Sequence, residues 1–279
     1  MKLLRYGPKG REKPGMLDDD GKIRDLSGKI DDITPAVLDK KLAQLKKIRP
    51  GSLPLVKGRP RIGSPVTGFQ KFLCIGLNYE DHAKEAGMPI PSEPILFSKT
   101  MNALAGPNDN VVRPKGSKKM DWEVELGIVI GKRAKYVSKK DALSYVAGYC
   151  VVNDVSEREF QLERGGQWIK GKAIDGFGPV GPWLVTTDEI PNPQKLDIWL
   201  EIDGERQQDG NTKTMIFSAA HIVSYLSKFM TLEPGDLIAT GTPPGVGAGQ
   251  KPPRFLKNGE VMTVGIEGLG QQKQKVVKE

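Results

Sequence analysis

Cysteine is almost missing from this chain: 279 residues carry only Cys74 and Cys150, with no CxxC spacing. That count excludes a cysteine-based zinc site and leaves two reduced, buried thiols as the simplest reading. Long apolar runs are missing too. None approaches the ~20 residues needed to span a bilayer, and residues 1–10 lack the apolar core of a signal peptide. A cytoplasmic protein with no membrane partner is therefore expected. Aromatic residues make up only 6%, which leaves few side chains on which nucleic-acid bases could stack.

Positive charge is in excess, at a formal +8. The lysines fall in scattered groups (Lys40, Lys41, Lys46, Lys47; Lys115, Lys118, Lys119; Lys132, Lys135, Lys139, Lys140; Lys273, Lys275, Lys278). Acidic and apolar residues interleave them, and no nucleic-acid reader motif accompanies them. A solvated surface that attracts small anions is the better reading, with no nucleic-acid partner. A basic nucleic-acid-associated protein is kept as the distant alternative. Glycine (33) and proline (21) are abundant and favour turns and short strands over long helices.

Residues 1–65 read as a small N-terminal unit without a chemical constellation. A strand is expected at 1–6, and a hairpin at 15–26 turns at Asp20-Gly21. Helical spacing runs over 34–48, with Thr34 as N-cap and Pro35 at the first helical position. Four prolines and four glycines across 49–68 mark a linker or irregular crossing. Beyond it, strands are expected at 71–77, 121–130, 145–155, 196–203 and 237–240. Helices are expected at 79–86 and 218–229, and a turn-rich loop at 241–249.

The chemistry concentrates after residue 70. In the 121–130 strand, Trp122, Val124, Leu126, Ile128 and Ile130 alternate to one face, which puts Glu123 and Glu125 together on the other. Like charges two residues apart repel unless a cation lies between them, and carboxylates suit Mg²⁺, Mn²⁺ or Ca²⁺. Asp154 closes an apolar strand, where an unpaired carboxylate is costly to bury. His82 and Glu85 stand three apart on a helix and share a face, so the carboxylate can orient the imidazole as a general base. His221 falls within the 218–229 helix pattern and reads as structural. The 241–249 loop is not a phosphate cradle, because Pro243-Pro244 removes two donors and no Gly-Lys-Ser/Thr ending follows.

Five ordered motifs across about residues 70–267 resemble the fumarylacetoacetate hydrolase family: Cys74-Ile75-Gly76-Leu77-Asn78-Tyr79-Glu80-Asp81-His82, Asp121-Trp122-Glu123-Val124-Glu125-Leu126, Val152-Asn153-Asp154-Val155-Ser156-Glu157-Arg158, the run 171–179 beginning Gly171-Lys172, and the run 233–247. The resemblance implies a β-rich mixed α/β fold. Its catalytic domain, residues 70–279, would be a rolled β-sheet or β-sandwich with short helices, preceded by a small N-terminal domain over residues 1–65. It implies Glu123, Glu125 and Asp154 as ligands of Mg²⁺, or Mn²⁺ or Ca²⁺. His82 and Glu85 match a water-activating pair, and Lys172 a lysine that stabilises developing negative charge. Arg158, Gln161 and Thr242 match contacts to substrate oxygens; Asp175 matches either a site residue or a structural partner of Lys172. The implied enzyme is a homodimer acting on a small anionic 2-oxo acid.

Residues 167–170 and the extra N-terminal unit resemble a subgroup of 2,4-diketo-3-deoxy sugar-acid hydrolases and ureidoglycolate lyases. The expected reaction is hydrolysis of a C–C bond in a 2,4-diketo acid (an acylpyruvate or a 2,4-diketo-3-deoxy sugar acid) to pyruvate and a second acid. A ureidoglycolate lyase, or a 2-oxo acid decarboxylase or isomerase on the same scaffold, is the alternative.

Overall fold

The computed structural model describes all of the chain except Ala86 and Met88. Strands dominate it. An 11-stranded sheet follows the order Ile23–Asp25, Lys13–Leu17, Lys2–Tyr6, Gly178–Thr186, Val146–Asn153, Val124–Ile130, Leu237–Ala239, Phe72–Gly76, Ile95–Lys99, with Ile62–Gly63 and Leu104–Ala105 paired off that path. A second sheet of five strands runs Glu205–Asn211, Asp197–Ile202, Val261–Ile266, Gly270–Lys278, Val111–Arg113. Among the described residues six α-helices occur, and the longest, Ala219–Phe229, has 11 residues. The fold is β-rich and mixed α/β, as expected.

Hydrophobic alternation explains how the main sheet is covered. Val124, Leu126, Ile128 and Ile130 enter one core together with Ile198, Leu200, Val264 and the inner face of the Ala219–Phe229 helix. Val129 enters a second core on the opposite face. Every residue of Val124–Ile130 is buried, so the strand is sandwiched between both cores, a placement that favours continuous apolar sequence.

The second core joins the N-terminal segment to the main sheet. Leu3, Met16, Leu26, Ile33 and Leu38 from the N-terminal segment share it with Cys74, Cys150, Val152, Val180 and Leu237. Lys2–Tyr6 also pairs directly with Gly178–Thr186. Residues of the 1–65 segment thus pack in this shared core against one face of the main sheet. Cys74 and Cys150 are buried there as free thiols, and burial pushes both of their pKa values upward.

Other elements shift at their edges. The helix expected over 34–48 divides into Pro35–Lys40 and Leu42–Leu45, with Thr34 capping the first part as anticipated. Only Val37, Leu38 and Leu45 are buried along it, and so short an apolar stripe gives continuous propagation little tertiary support. The 121–130 strand breaks at Trp122 and Glu123. There the Trp122 amide turns to Asp121 Oδ1 (2.8 Å) and the Glu123 amide to Asn153 Oδ1 (3.3 Å), side-chain acceptors replacing the ladder. The helix expected over 79–86 is Glu80–Glu85, with Ala86 outside the described residues.

Topology brings the chemistry to one edge. Leu237–Ala239 runs parallel to Phe72–Gly76, so the segments after both strands emerge side by side. Val124–Ile130 is antiparallel to Leu237–Ala239, and Val146–Asn153 to Val124–Ile130. The start of the first and the end of the second thus reach that same edge, which gathers Glu123, Glu125 and Asp154 from segments 30 residues apart in sequence.

Candidate active site

A cleft of about 470 Å³ opens at this edge, lined by His82, Glu85, Glu123, Glu125, Arg158, Gln161, Lys172 and Thr242, with Phe97, Leu162 and Trp168 forming an apolar wall. Eight of the nine residues expected from sequence line it, and the ninth, Asp154, adjoins it through its cluster with Glu123 and Glu125. Carboxylate oxygens of Glu123, Glu125 and Asp154 come within 4.8 Å of one another, and all three side chains are buried.

The cluster's electrostatics show what it lacks in neutralisation. Lys172 Nζ donates to Glu123 Oε2 (2.7 Å) and Asp154 Oδ2 (2.8 Å). Arg158 donates from Nε to Asp121 Oδ2 (2.8 Å), pairs through Nη2 with Glu123 Oε1 (2.7 Å), and reaches Gln161 Oε1 through Nη1 (3.1 Å). Lys99, wholly buried, donates to Asp154 Oδ1 and to the Val155 carbonyl (3.0 Å). Asp121, Glu123, Glu125 and Asp154 thus face Lys99, Arg158 and Lys172, one carboxylate more than there are cations.

Glu123 is held ionised: burial alone would raise its pKa, but Lys172 and Arg158 bring it down to about 2. Glu125 has no such cation. Burial, then Asp154 and Glu123, push its pKa well above the ordinary carboxylate range, against only the nearby Lys172 charge and the Gly241 amide. A buried carboxylate repelled by two neighbours, its oxygens clustered with theirs, is what a hard divalent cation relieves. The donor set is all oxygen, and it fits such an ion.

The helix Glu80–Glu85 is set by the segment before it. Leu77 takes a left-handed φ of 51° at the strand-to-helix turn. Asn78 is fully buried and fixes the turn, donating to the Phe217 and Thr240 carbonyls and accepting from the Phe217 amide. His82 Nδ1 lies 3.0 Å from Glu85 Oε2, as the three-residue spacing implies.

The loop after Leu237–Ala239 holds these acids by its backbone. Gly241 donates to Glu125 Oε2 (2.8 Å), Gly245 to Glu85 Oε1 (2.9 Å), and Gly247 and Ala248 to the two oxygens of Asp121 (2.7 and 3.0 Å). Glycine is required at 245, where φ is +99° and a Cβ would lie 1.9 Å from the Gln207 carbonyl oxygen.

Two expectations change. Asp175 is exposed and bonds Asn102, not Lys172. Thr242 Oγ1 donates to the Val124 carbonyl (2.8 Å) and accepts from Gln208 (2.7 Å), so the hydroxyl braces the start of the Glu125 strand while its residue lines the cleft. Sequence reasoning gave no role to Lys99, and Asp121 entered only as part of a motif. Strand alternation places Lys99 on the same side as Phe97, and a lysine at that register of the Ile95–Lys99 strand was the available signal. Asp121 carried no signal apart from its neighbours. His221 stacks between Phe217 and Tyr225 on the Ala219–Phe229 helix, away from the cleft.

An acid cluster fit for a hard cation, a lysine on its oxygens and an imidazole–carboxylate pair in one cleft give the layout of an enzyme active site. The match of residues 71–277 to the model of the fumarylacetoacetate hydrolase C-terminal region makes the assignment definite: the chain belongs to the fumarylacetoacetate hydrolase family. A Burkholderia lata relative, named provisionally as a hydrolase, is 63% identical over 276 residues, covering 98% of each chain. Among solved structures, fumarylacetoacetate hydrolase from Exiguobacterium antarcticum superposes with a TM-score of 0.88 at 34% identity, covering 100% of both chains. Maleylpyruvate hydrolase from Sphingobium sp. SYK-6, in complex with manganese(II) and pyruvate, gives 0.84 at 27% identity, covering 100% of this chain and 99% of that one. The 2-hydroxyhepta-2,4-diene-1,7-dioate isomerase of Mycobacterium marinum gives 0.75 at 32% identity with the same coverage.

Proposed function

We propose that this protein is a metal-dependent hydrolase that cleaves a 2,4-diketo acid, an acylpyruvate or a 2,4-diketo-3-deoxy sugar acid, to pyruvate and a second carboxylic acid. One observation carries the reading. The His82–Glu85 pair lines the same cleft as the Glu123, Glu125 and Asp154 cluster, so a base for water stands across from a site for a cation. The structural likeness to a hydrolase solved with manganese(II) and pyruvate supports it.

Mg²⁺ or Mn²⁺ held by Glu123, Glu125 and Asp154 would supply Lewis-acid polarisation of a 2-oxo carboxylate. The chain's own groups do the rest. Glu85 accepts from Nδ1 of His82, which leaves Nε2 free to take a proton from water. The water oxygen bonds to the carbonyl carbon at position 4 of the substrate. The C3–C4 bond then breaks, its electron pair passes to the pyruvate enolate, and the proton that His82 took from water is returned to C3 to give pyruvate. Lys172, against the Glu123 and Asp154 oxygens, places positive charge where the enolate forms. Phe97, which lies against Lys172, and Trp168 and Leu162 supply apolar lining that limits water in the cleft.

The likeness to an isomerase favours a second reading, enolate chemistry without hydrolytic water; a decarboxylase or ureidoglycolate lyase would be its variants. A homodimer in the cytoplasm is part of the proposal, and sedimentation at several concentrations tests the dimer. No described helix is long and apolar enough to cross a membrane. Pyruvate release from a panel of 2,4-diketo acids, with Mn²⁺ or Mg²⁺ and with EDTA, tests the reaction. Turnover of ureidoglycolate or oxaloacetate, with none of the panel consumed, would overturn hydrolysis.

A further inference from the structure

Each carboxylate of the cluster has one oxygen engaged by a donor that touches no other carboxylate of the cluster. Glu125 Oε2 accepts from the Gly241 amide, Glu123 Oε1 from Arg158, and Asp154 Oδ1 from Lys99. The oxygens left are Glu125 Oε1, for which no donor occurs among the described residues, and Glu123 Oε2 and Asp154 Oδ2, which share only Lys172. Lys172 and Lys99 therefore touch opposite oxygens of Asp154. Lys172 lines the cleft beside the reacting groups; Lys99 does not line it.

Lys99 is fixed as firmly as the residue it holds. Its ammonium is fully buried, it ends the Ile95–Lys99 strand, and its second donor bond goes to the carbonyl of Val155, the residue after Asp154. One side chain thus grips both the carboxylate and the backbone just beyond it. An ammonium so placed keeps Asp154 from turning both oxygens inward.

We propose that Lys99 is the positioning residue that makes Asp154 a one-oxygen ligand, and that it thereby biases the site toward small octahedral cations over calcium. Mg²⁺ and Mn²⁺ sites take single oxygens in a tight octahedron, whereas Ca²⁺ accepts more ligands and two-oxygen carboxylates. With Lys99 replaced, Asp154 can offer both oxygens, which suits calcium and loosens the geometry the smaller ions need. The inference rests on the cation site of the proposed function, and its test separates the two.

The experiment is calorimetric titration of Mn²⁺ and Ca²⁺ into chelator-treated wild type, Lys99→Met and Lys99→Arg. The Mn²⁺ Kd should rise about 10- to 100-fold in Lys99→Met, and the Ca²⁺ Kd should change less, so that the ratio of the two moves on the order of ten-fold toward calcium. Lys99→Arg keeps the buried positive charge and guards against simple failure to fold. Its Mn²⁺ Kd should fall between those of wild type and Lys99→Met, with a melting temperature near wild type. Wild-type Mn²⁺ affinity in the folded variants, or an equal loss of both ions, overturns the proposal. If wild type itself binds neither ion, the cation site fails first and the role of Lys99 fails with it.

Discussion

The Gly245 amide donates to Glu85 Oε1 at 2.9 Å, while the other oxygen of that carboxylate reaches His82 Nδ1 at 3.0 Å. The base is therefore assembled from two separate segments. The helix Glu80–Glu85 brings the pair, and the 241–249 loop fixes the carboxylate's rotation. Glu85→Gln can keep the bond from Gly245 but removes the charge that orients the imidazole. It should lower kcat by ~10²–10⁴, the range of a general base, and leave Mn²⁺ affinity unchanged. Single-turnover rates with parallel metal titration check it; an unchanged kcat would remove the pair from the reaction.

Glu125 gives a prediction of opposite sign for stability and function. Burial and the charges of Asp154 and Glu123 raise its folded pKa, so the folded state binds that proton more tightly than the unfolded chain does. Its ionisation then opposes folding progressively as pH rises from the unfolded value near ~4.3 through the folded one. Without metal, Glu125→Gln should melt higher than wild type at neutral pH, by roughly 2–4 °C for each ~1 kcal/mol relieved. The advantage should vanish at low pH, where wild type is protonated too. With Mn²⁺ present the order should reverse, because the variant has lost a ligand. Thermal melts with Mn²⁺ and with EDTA, at several pH values, read all of this.

What the sequence could show follows from how local each signal is. Alternation over 121–130 told which face Glu123 and Glu125 share, because side-chain direction in a strand is a two-residue property. The three-residue step from His82 to Glu85 is local in the same way. Lys99 acts on Asp154 across 55 positions, and Asp121 on Arg158 across 37; no local pattern records such pairings. The N-terminal segment shows the same limit. Its prolines and glycines over 49–68 suggest a linker or irregular crossing, and no local pattern records the pairing of Lys2–Tyr6 with Gly178–Thr186, which joins residues more than 170 apart.

Arg158 was expected to meet the substrate, yet its guanidinium is already engaged by Asp121, Glu123 and Gln161. Those buried carboxylates push its pKa upward despite desolvation. Removing one partner of such a network leaves an unpaired buried charge and costs ~3–5 kcal/mol. Arg158→Met should therefore lose much of its stability in urea and weaken Mn²⁺ binding through Glu123. A pure substrate contact would instead raise KM and leave both of those values alone.

Asp109 offers a pH test far from the cleft. Its burial would raise the carboxyl pKa, but the hydrogen bond from Arg61, the Gly106 amide and the Arg61 charge together bring it below the usual value. A depressed folded pKa stabilises the fold at pH above the unfolded value of ~3.9, and the gain is lost as pH falls through the folded one. Asp109→Asn keeps the shape but breaks the charge-assisted pair, a loss of ~1–3 kcal/mol at neutral pH. Urea unfolding at pH 7 should show that gap, and it should narrow steadily below pH ~4 as wild type loses the same charge. A gap constant with pH would mean that Asp109 contributes through packing and not through its ionised form.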